Sequence, residues 1–399
     1  MSVLDRRDVL RLAGGAGLLA GLPVHAAAAR TAPTAERLVV VILRGGVDGL
    51  SLAPAIGDPV FTDLRRHLAA TPSADPFRLD DLFALHGRLT FLHDLWRRKE
   101  LVLVHAVHTI SRNRSHFDAQ DLLELGLPQL GSHASGWLNR TLAALTPGDE
   151  TQQQGFSTGY GTPLILRGPT PVGSWAPRRL PEVPSALLDR LTRLGASDPA
   201  LQTTLQRGVA NARRQRTLLG EDGFADRPVT GNGWDIVQLA RATGKLLSEE
   251  GGARLATFDI GGWDTHGYQN IALDYRLPLL DKALTALRRG LGDAWAKSAV
   301  LVVTEFGRTA VPNGTNGTDH GSAGAALLLG GAVKGGRTVA DWPGLENLYE
   351  GRDLAPTTDL RSLFKAVLEQ HLRIDPARID DEIFPQSADA PALPALFEA

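Results

Sequence analysis

Residues 304–325 read TEFGRTAVPNGTNGTDHGSAGA and set Glu305, Arg308, Asp319 and His320 among glycines and asparagines. A carboxylate leaving an apolar run, followed by an Asp-His pair, offers oxygen and imidazole donors of the kind divalent metals take. Comparable stretches follow other apolar runs. After LVVVIL come Arg44 and Asp48 in RGGVDG. After LVLVHA come His108, Ser111, Arg112, Arg114, Ser115 and His116, and after LATFDI come Asp264 and His266 in GGWDTHG. Each has a plain structural reading. Asp48 between glycines can make a turn, Ser115 with Asp118 three residues on is a helix-capping pattern, and Glu305 can pair with Arg308. Separate structural needs do not explain Asp, Ser, His and Glu at the ends of four such runs, so together they point to one site.

The elements that carry these residues are legible as apolar runs of strand length at 38–43, 101–106, 164–166, 255–260, 299–304 and 325–329. Most are continuous rather than alternating, as in strands buried on both faces. Helical patterns lie between them at 76–98, 118–125, 275–291 and 360–372. This alternation predicts an α/β fold, a mostly parallel central sheet with helices on both faces. Ligands bind such sheets at the carboxyl ends of the strands, where the polar residues above are found. Residues 130–250 break the rhythm and are expected to form an insertion over the sheet, with helices at 186–219 and 234–247. The tail from Asp375 is expected to be a surface strap. Residues 30–399 thus make one domain.

The chain has 399 residues, 43% hydrophobic and 22% charged, with a formal net charge of −2. Such a chain can bury a substantial core, and its charge excludes nucleic acid as the main partner. The absence of cysteine rules out disulfides, thiolate nucleophiles and cysteine metal sites. Residues 1–29 have Arg6-Arg7, a short apolar run at 12–22 and four alanines at 26–29. That is the pattern of a twin-arginine export signal, cleaved near Ala28 or Ala29. The run is too short to span a bilayer, so no stable transmembrane anchor is expected. The expected partner in export is the twin-arginine translocase, and the expected location periplasmic or secreted.

The set LRGGVDGLS, SRNRSHFDAQD, GGWDTHG, TEFGRT, GTDHG and TTDLRSLFKAVL resembles the family called domain of unknown function 1501. That family is placed with the alkaline-phosphatase and sulfatase-like superfamily, and the likeness spans about residues 38–372. The resemblance implies an alkaline-phosphatase-like three-layer sandwich in which two divalent metals (Zn, Mn, Mg or Ca) clamp a phosphate or sulfate ester. Asp264, His266 and His320 resemble the ligands of one metal, and Asp48, Ser115 and Glu305 those of the other. Asp319 or His116 would replace a missing ligand. Ser115 resembles the nucleophile, at a helix start that favours anions, with Ser111 as its rival. Arg44, Arg112 and Arg114 are implied anion clamps.

The implied substrate is a small anionic ester or one derived from a polysaccharide. The pattern departs in two places: Asp264 and His266 are separated by one residue rather than three, and Phe306 stands where a second ligand belongs. With no cysteine to become formylglycine, ordinary sulfatase chemistry is excluded. A metal-dependent hydrolase and a non-catalytic envelope binding or assembly protein both remain open. An oxidoreductase finds no support, because LRGGVDG lacks a dinucleotide fingerprint.

Overall fold

A strand built from LVVVIL must be covered on both sides, and the computed structural model places it inside the sheet, between two neighbours. The structure describes residues 35–69, 74–109, 114–130, 135–145, 155–159, 161–176, 234–249 and 252–398, with single positions at 187, 190, 193 and 202. The expected export signal lies outside the described residues. Strand β1 (Arg37–Arg44) sends Val39, Val41 and Leu43 into one apolar cluster and Leu38, Val40 and Ile42 into the other. The period of two along a strand thus turns one apolar run into the shared wall of two cores.

The remaining strands are β2 (Phe77–Arg78), β3 (Ala84–Leu85), β4 (Leu101–His108), β5 (Gly155–Thr158) and β6 (Val172–Trp175), then β7 (Leu255–Gly261), β8 (Ser298–Val303), β9 (Gly324–Leu329), β10 (Arg337–Val339) and β11 (Thr358–Asp359). Strands β2 and β3 pair as a separate hairpin, and the others form a nine-stranded sheet in the order β10-β4-β9-β8-β1-β7-β5-β6, with β11 also on β4. Pairing is parallel except that β9 runs against β4 and β8. Hence β1, β4, β7 and β8 all end at the same edge.

The helices that matter here are α1 (Gly49–Leu52), α2 (Thr90–Arg97), α3 (His116–Leu125), α4 (Trp137–Leu145), α5 (Trp234–Ser248), α6 (Gln269–Leu291) and α7 (Leu360–Gln370), besides one-turn helices at Phe61–Leu64, Arg66–Ala69 and Pro376–Arg378. Apolar residues of α2, α5 and α6 fill the first cluster, and those of α4 and α7 fill the second. The fold is the expected α/β sandwich. No described helix is long and apolar enough to cross a membrane.

Several local expectations change. The helix expected over 76–98 is confined to α2, because Asp80 accepts from the Leu82 and Phe83 nitrogens and turns the chain into the β2–β3 hairpin. The strand expected at 164–166 is a short 3₁₀ turn after Pro163, whose ring fixes φ and removes a ladder donor. Strands β5 and β6 come from the segment expected as an insertion. At four residues each, GFST and VGSW are too short for periodicity to reveal. The helix expected at 186–219 lies largely outside the described residues. The tail is pinned into the second cluster by Ile379, Ile383, Phe384 and Leu396. His105 is a satisfied core histidine: Nε2 meets the Ala53 carbonyl at 3.1 Å and Nδ1 accepts from the Ala106 nitrogen.

Candidate metal centre

Glycines let the strand ends converge. Gly45 follows β1 at φ 120°, and a Cβ there would fall 2.5 Å from the Asp264 nitrogen. Its own nitrogen donates to Glu305 Oε1 at 2.8 Å. The long loop after β8 folds back on itself, with Arg308 bridged to His320 and the Thr309 nitrogen donating to the Asp319 carbonyl. Asn313 ties the loop tip down, its amide donating to the His266 carbonyl and to Asp319 Oδ1. At Gly317 a side chain would collide with the His266 backbone at 2.2 Å. The glycines and asparagine thus allow this loop to lie against the β7 loop.

Three imidazoles and one carboxylate meet there. Asp264 Oδ1 lies 3.0 Å from His266 Nε2 and 3.1 Å from His320 Nε2, and Oδ2 lies 3.4 Å from His116 Nε2. The Nε2 atoms of His266 and His320 are themselves 3.0 Å apart. His116 Nε2 is buried with no hydrogen-bond partner among the described residues. Donor atoms of His116, Asp264 and His320 all fall within 4.8 Å of one another, a spacing that could hold a metal ion.

The other ring nitrogens face acceptors. His116 Nδ1 is 2.8 Å from Glu305 Oε1, His266 Nδ1 is 3.1 Å from Asp319 Oδ1, and His320 Nδ1 is 2.7 Å from the Arg114 carbonyl. A carbonyl only accepts, so His320 carries its proton on Nδ1. Glu305 has no exposed surface. Burial opposes its charge, but hydrogen bonds from Gln120, His116 and Gly45 outweigh that and hold the carboxyl below its usual range. Asp319 is held low first by the Asn313 amide, then by His266. Both carboxylates therefore act as acceptors, and the same tautomer follows for His116 and His266.

The Nε2 atoms of His266 and His320 thus face each other and Asp264, and that of His116 faces Asp264. Burial opposes the charge of Asp264, but the His320 bond and the Arg308 field keep the carboxyl below its usual range. A cation between the His266 and His320 nitrogens would take a lone pair from each. Two nitrogens about 2.1 Å from a tetrahedral ion stand roughly 3.4 Å apart, so the donors fit a metal after a small expansion. Outer carboxylates and carbonyls on the far ring nitrogens are the usual surroundings of histidine ligands. Phe306 closes one side, with its ring 4.8 Å from those of both His116 and His320.

The structure brings Asp264, His266 and His320 together, with Glu305 and Asp319 behind two of the rings. It does not bring Asp48 to them. Asp48 caps α1 and is buried, with Oδ2 accepting from Arg65, from Ser51 Oγ at 2.6 Å and from Gln269 Nε2 at 2.6 Å. Ser115 is the N-cap residue of α3, immediately before His116. Arg112 and Ser111 lie outside the described residues.

The two described arginines expected as clamps are both in ion pairs. Arg44 meets Asp259 at 2.7 Å and Glu124 at 2.8 Å, and Arg114 meets Glu350 at 2.6 Å and Asp353 at 2.8 Å. Arg308 does not pair with Glu305 but donates to Asp264 Oδ1 at 3.0 Å. Gln120, which links Arg44 Nη1 to Glu305 Oε1, and Asn313 were not singled out by sequence. Gln120 lies one turn after His116, a spacing that could have flagged it.

Residues 106–384 match the model of a family described as Protein of unknown function (DUF1501). No curated protein matches. Among solved structures, the chain is similar to a protein in the alkaline phosphatase superfamily from Vibrio parahaemolyticus. The identity is 10%, coverage 92% of this chain and 75% of that one, and the TM-score 0.40. For the phosphonate monoester hydrolase of Agrobacterium radiobacter the values are 12%, 84%, 73% and 0.36. For Ps i-CgsB in complex with k-i-k-neocarrahexaose they are 9%, 77%, 69% and 0.37.

Proposed function

The chain belongs to the DUF1501 family, and from that premise we propose that it is an exported metal-dependent hydrolase of phosphate or sulfate esters. The observation that carries the reading is the meeting of three imidazole Nε2 atoms with the Asp264 carboxylate. His116, His266, His320 and Asp264 would hold one divalent transition metal, since imidazole with a single carboxylate suits Zn, Mn or Fe better than Ca or Mg. The charge supports one ion. Asp264, Glu305 and Asp319 against Arg308 leave two negative charges, while Arg114 and Arg352 are balanced by Glu350 and Asp353.

When bound, such a metal supplies Lewis acidity that makes a hydroxyl or water nucleophilic near neutral pH. The protein's own groups do the rest. Glu305, Asp319 and the Arg114 carbonyl keep protons on Nδ1, so each ring presents Nε2. Phe306 excludes water from one side. The N-terminus of α3, at Ser115, favours an anionic group, and Ser115 would be the attacking hydroxyl. Export through the twin-arginine route fits a protein that folds around its metal before crossing the membrane.

A second reading, a non-catalytic envelope protein that keeps the metal, is favoured by the ion-paired state of Arg44 and Arg114. Metal content by mass spectrometry, followed by a panel of aryl phosphates and sulfates, separates the two. About one metal per chain with turnover lost in Ser115→Ala is the result expected of the enzyme. Metal without turnover on any ester favours the second reading, and no metal in freshly exported protein refutes both.

A further inference from the structure

Arg308 is the least explained charge near the centre. Its side chain has no exposed surface. Nη2 donates to Asp264 Oδ1, while Nε and Nη1 are buried with no hydrogen-bond partner among the described residues. Burial pulls the guanidinium below its usual range, against the opposing fields of Asp264, Asp48 and Asp319. A buried cation with two unpartnered nitrogens is costly. If it served structure alone, a full pairing like that of Asp48 with Arg65, Ser51 and Gln269 would serve better. What sets Arg308 apart is the oxygen it holds, which is also the one facing His266 and His320.

We propose that Arg308 is a positioning residue of the metal centre: by occupying one lone pair of Asp264 Oδ1 it restricts the carboxylate to a single bond to the metal. A carboxylate next to a divalent ion can bind through one oxygen or both. A donor fixed on the inner oxygen resists the rotation that would present both oxygens equally. Coordination number then stays low, and a position remains open for a ligand from solution. Arg308 cannot drift from this place, because its backbone is bridged to His320 and a side chain on Gly321 would meet the Arg308 carbonyl carbon at 2.4 Å. The residue that orients Asp264 is therefore built into the loop that delivers His320.

The inference rests on the proposed metal centre, and cobalt(II) tests the two separately. Metal-free protein is titrated with Co²⁺, reading stoichiometry and the visible absorbance of the ion, which weakens as coordination number rises. The wild type should take up one equivalent and show the stronger, low-coordination spectrum. Arg308→Gln should bind Co²⁺ about 10–100-fold more weakly, the range for outer-sphere partners of a metal ligand, and its absorbance should fall. Arg308→Lys, which keeps the charge and one donor, should restore the wild-type spectrum. A wild-type spectrum in folded Arg308→Gln overturns the inference while leaving the metal centre standing. Should Arg308→Gln fail to fold, Arg308→Lys decides: the wild-type spectrum supports the inference, and a weakened one overturns it. Equal failure of the wild type and His320→Ala to bind Co²⁺ overturns the metal centre itself.

Discussion

Asp48 and Asp264 both sit just beyond a parallel strand, at the same edge of the sheet, yet their surroundings are opposite. Asp48 is enclosed by donors: Arg65, Gln269, Ser51 and the Leu50 nitrogen saturate it. Asp264 is partly exposed, has Arg308 as its one guanidinium partner, and otherwise faces the Nε2 atoms of three rings. A carboxylate completed by the protein's own donors holds the fold together. One left half open among imidazoles can serve a cation. The residue type is the same, and the neighbours decide the role.

The largest effect should come from breaking the closed member of the pair. Asp48→Ala leaves Arg65 buried and uncompensated, and should destabilise the protein by about 3–5 kcal/mol in chemical denaturation. Its metal uptake should survive under conditions where it folds. Asp264→Ala and His320→Ala should do the reverse, lowering metal affinity more than about 100-fold, beyond what outer partners cost. In metal-free protein His320→Ala should change stability little, whereas Asp264→Ala also strips the buried Arg308 of its partner and should cost stability as well. Equal metal loss in Asp48→Ala and Asp264→Ala, measured by competition with a chelator, would erase the contrast. Next in size, Glu305→Gln should weaken metal binding about 10–100-fold by freeing the His116 ring to flip.

The smallest effect is on pH. Burial pushes the Asp48 carboxyl up, but Arg65, Ser51 and Gln269 outweigh it and hold it below its usual range. The unfolded chain therefore takes up this proton first, near pH 3.9. The stabilisation is complete above that value and is lost as pH falls through the folded one. In chelated protein, melting temperatures measured between about pH 3 and pH 6 should fall more steeply for the wild type than for Asp48→Asn.

The sheet was legible because its strands are buried on both faces and so appear as unbroken apolar runs. The same logic located Asp264, His266, Glu305 and His320, each a few residues past a strand or just before one. His116 was harder to place, since it follows Ser115 in a pattern that reads equally as a helix start. Arg308 was read with its sequence neighbour Glu305, but its partner is 44 residues away, and only the fold-back of the 306–323 loop makes that pairing. Asp48 was misleading for the same reason. The strand end is visible in the sequence, while Arg65, 17 residues on, and Gln269, at the start of α6, close it only in the fold.

Phe306 stands where a further ligand was expected, and its ring lies under two of the imidazoles. With Glu305 sealed behind them, the inner side of the cage is closed to dissolved ions. Attractions there should respond weakly to added salt, whereas those of a surface cluster fade within a Debye length of about 10 Å at 0.1 M. The inner side of the centre should thus keep its hold on a cation in brine as well as in dilute buffer.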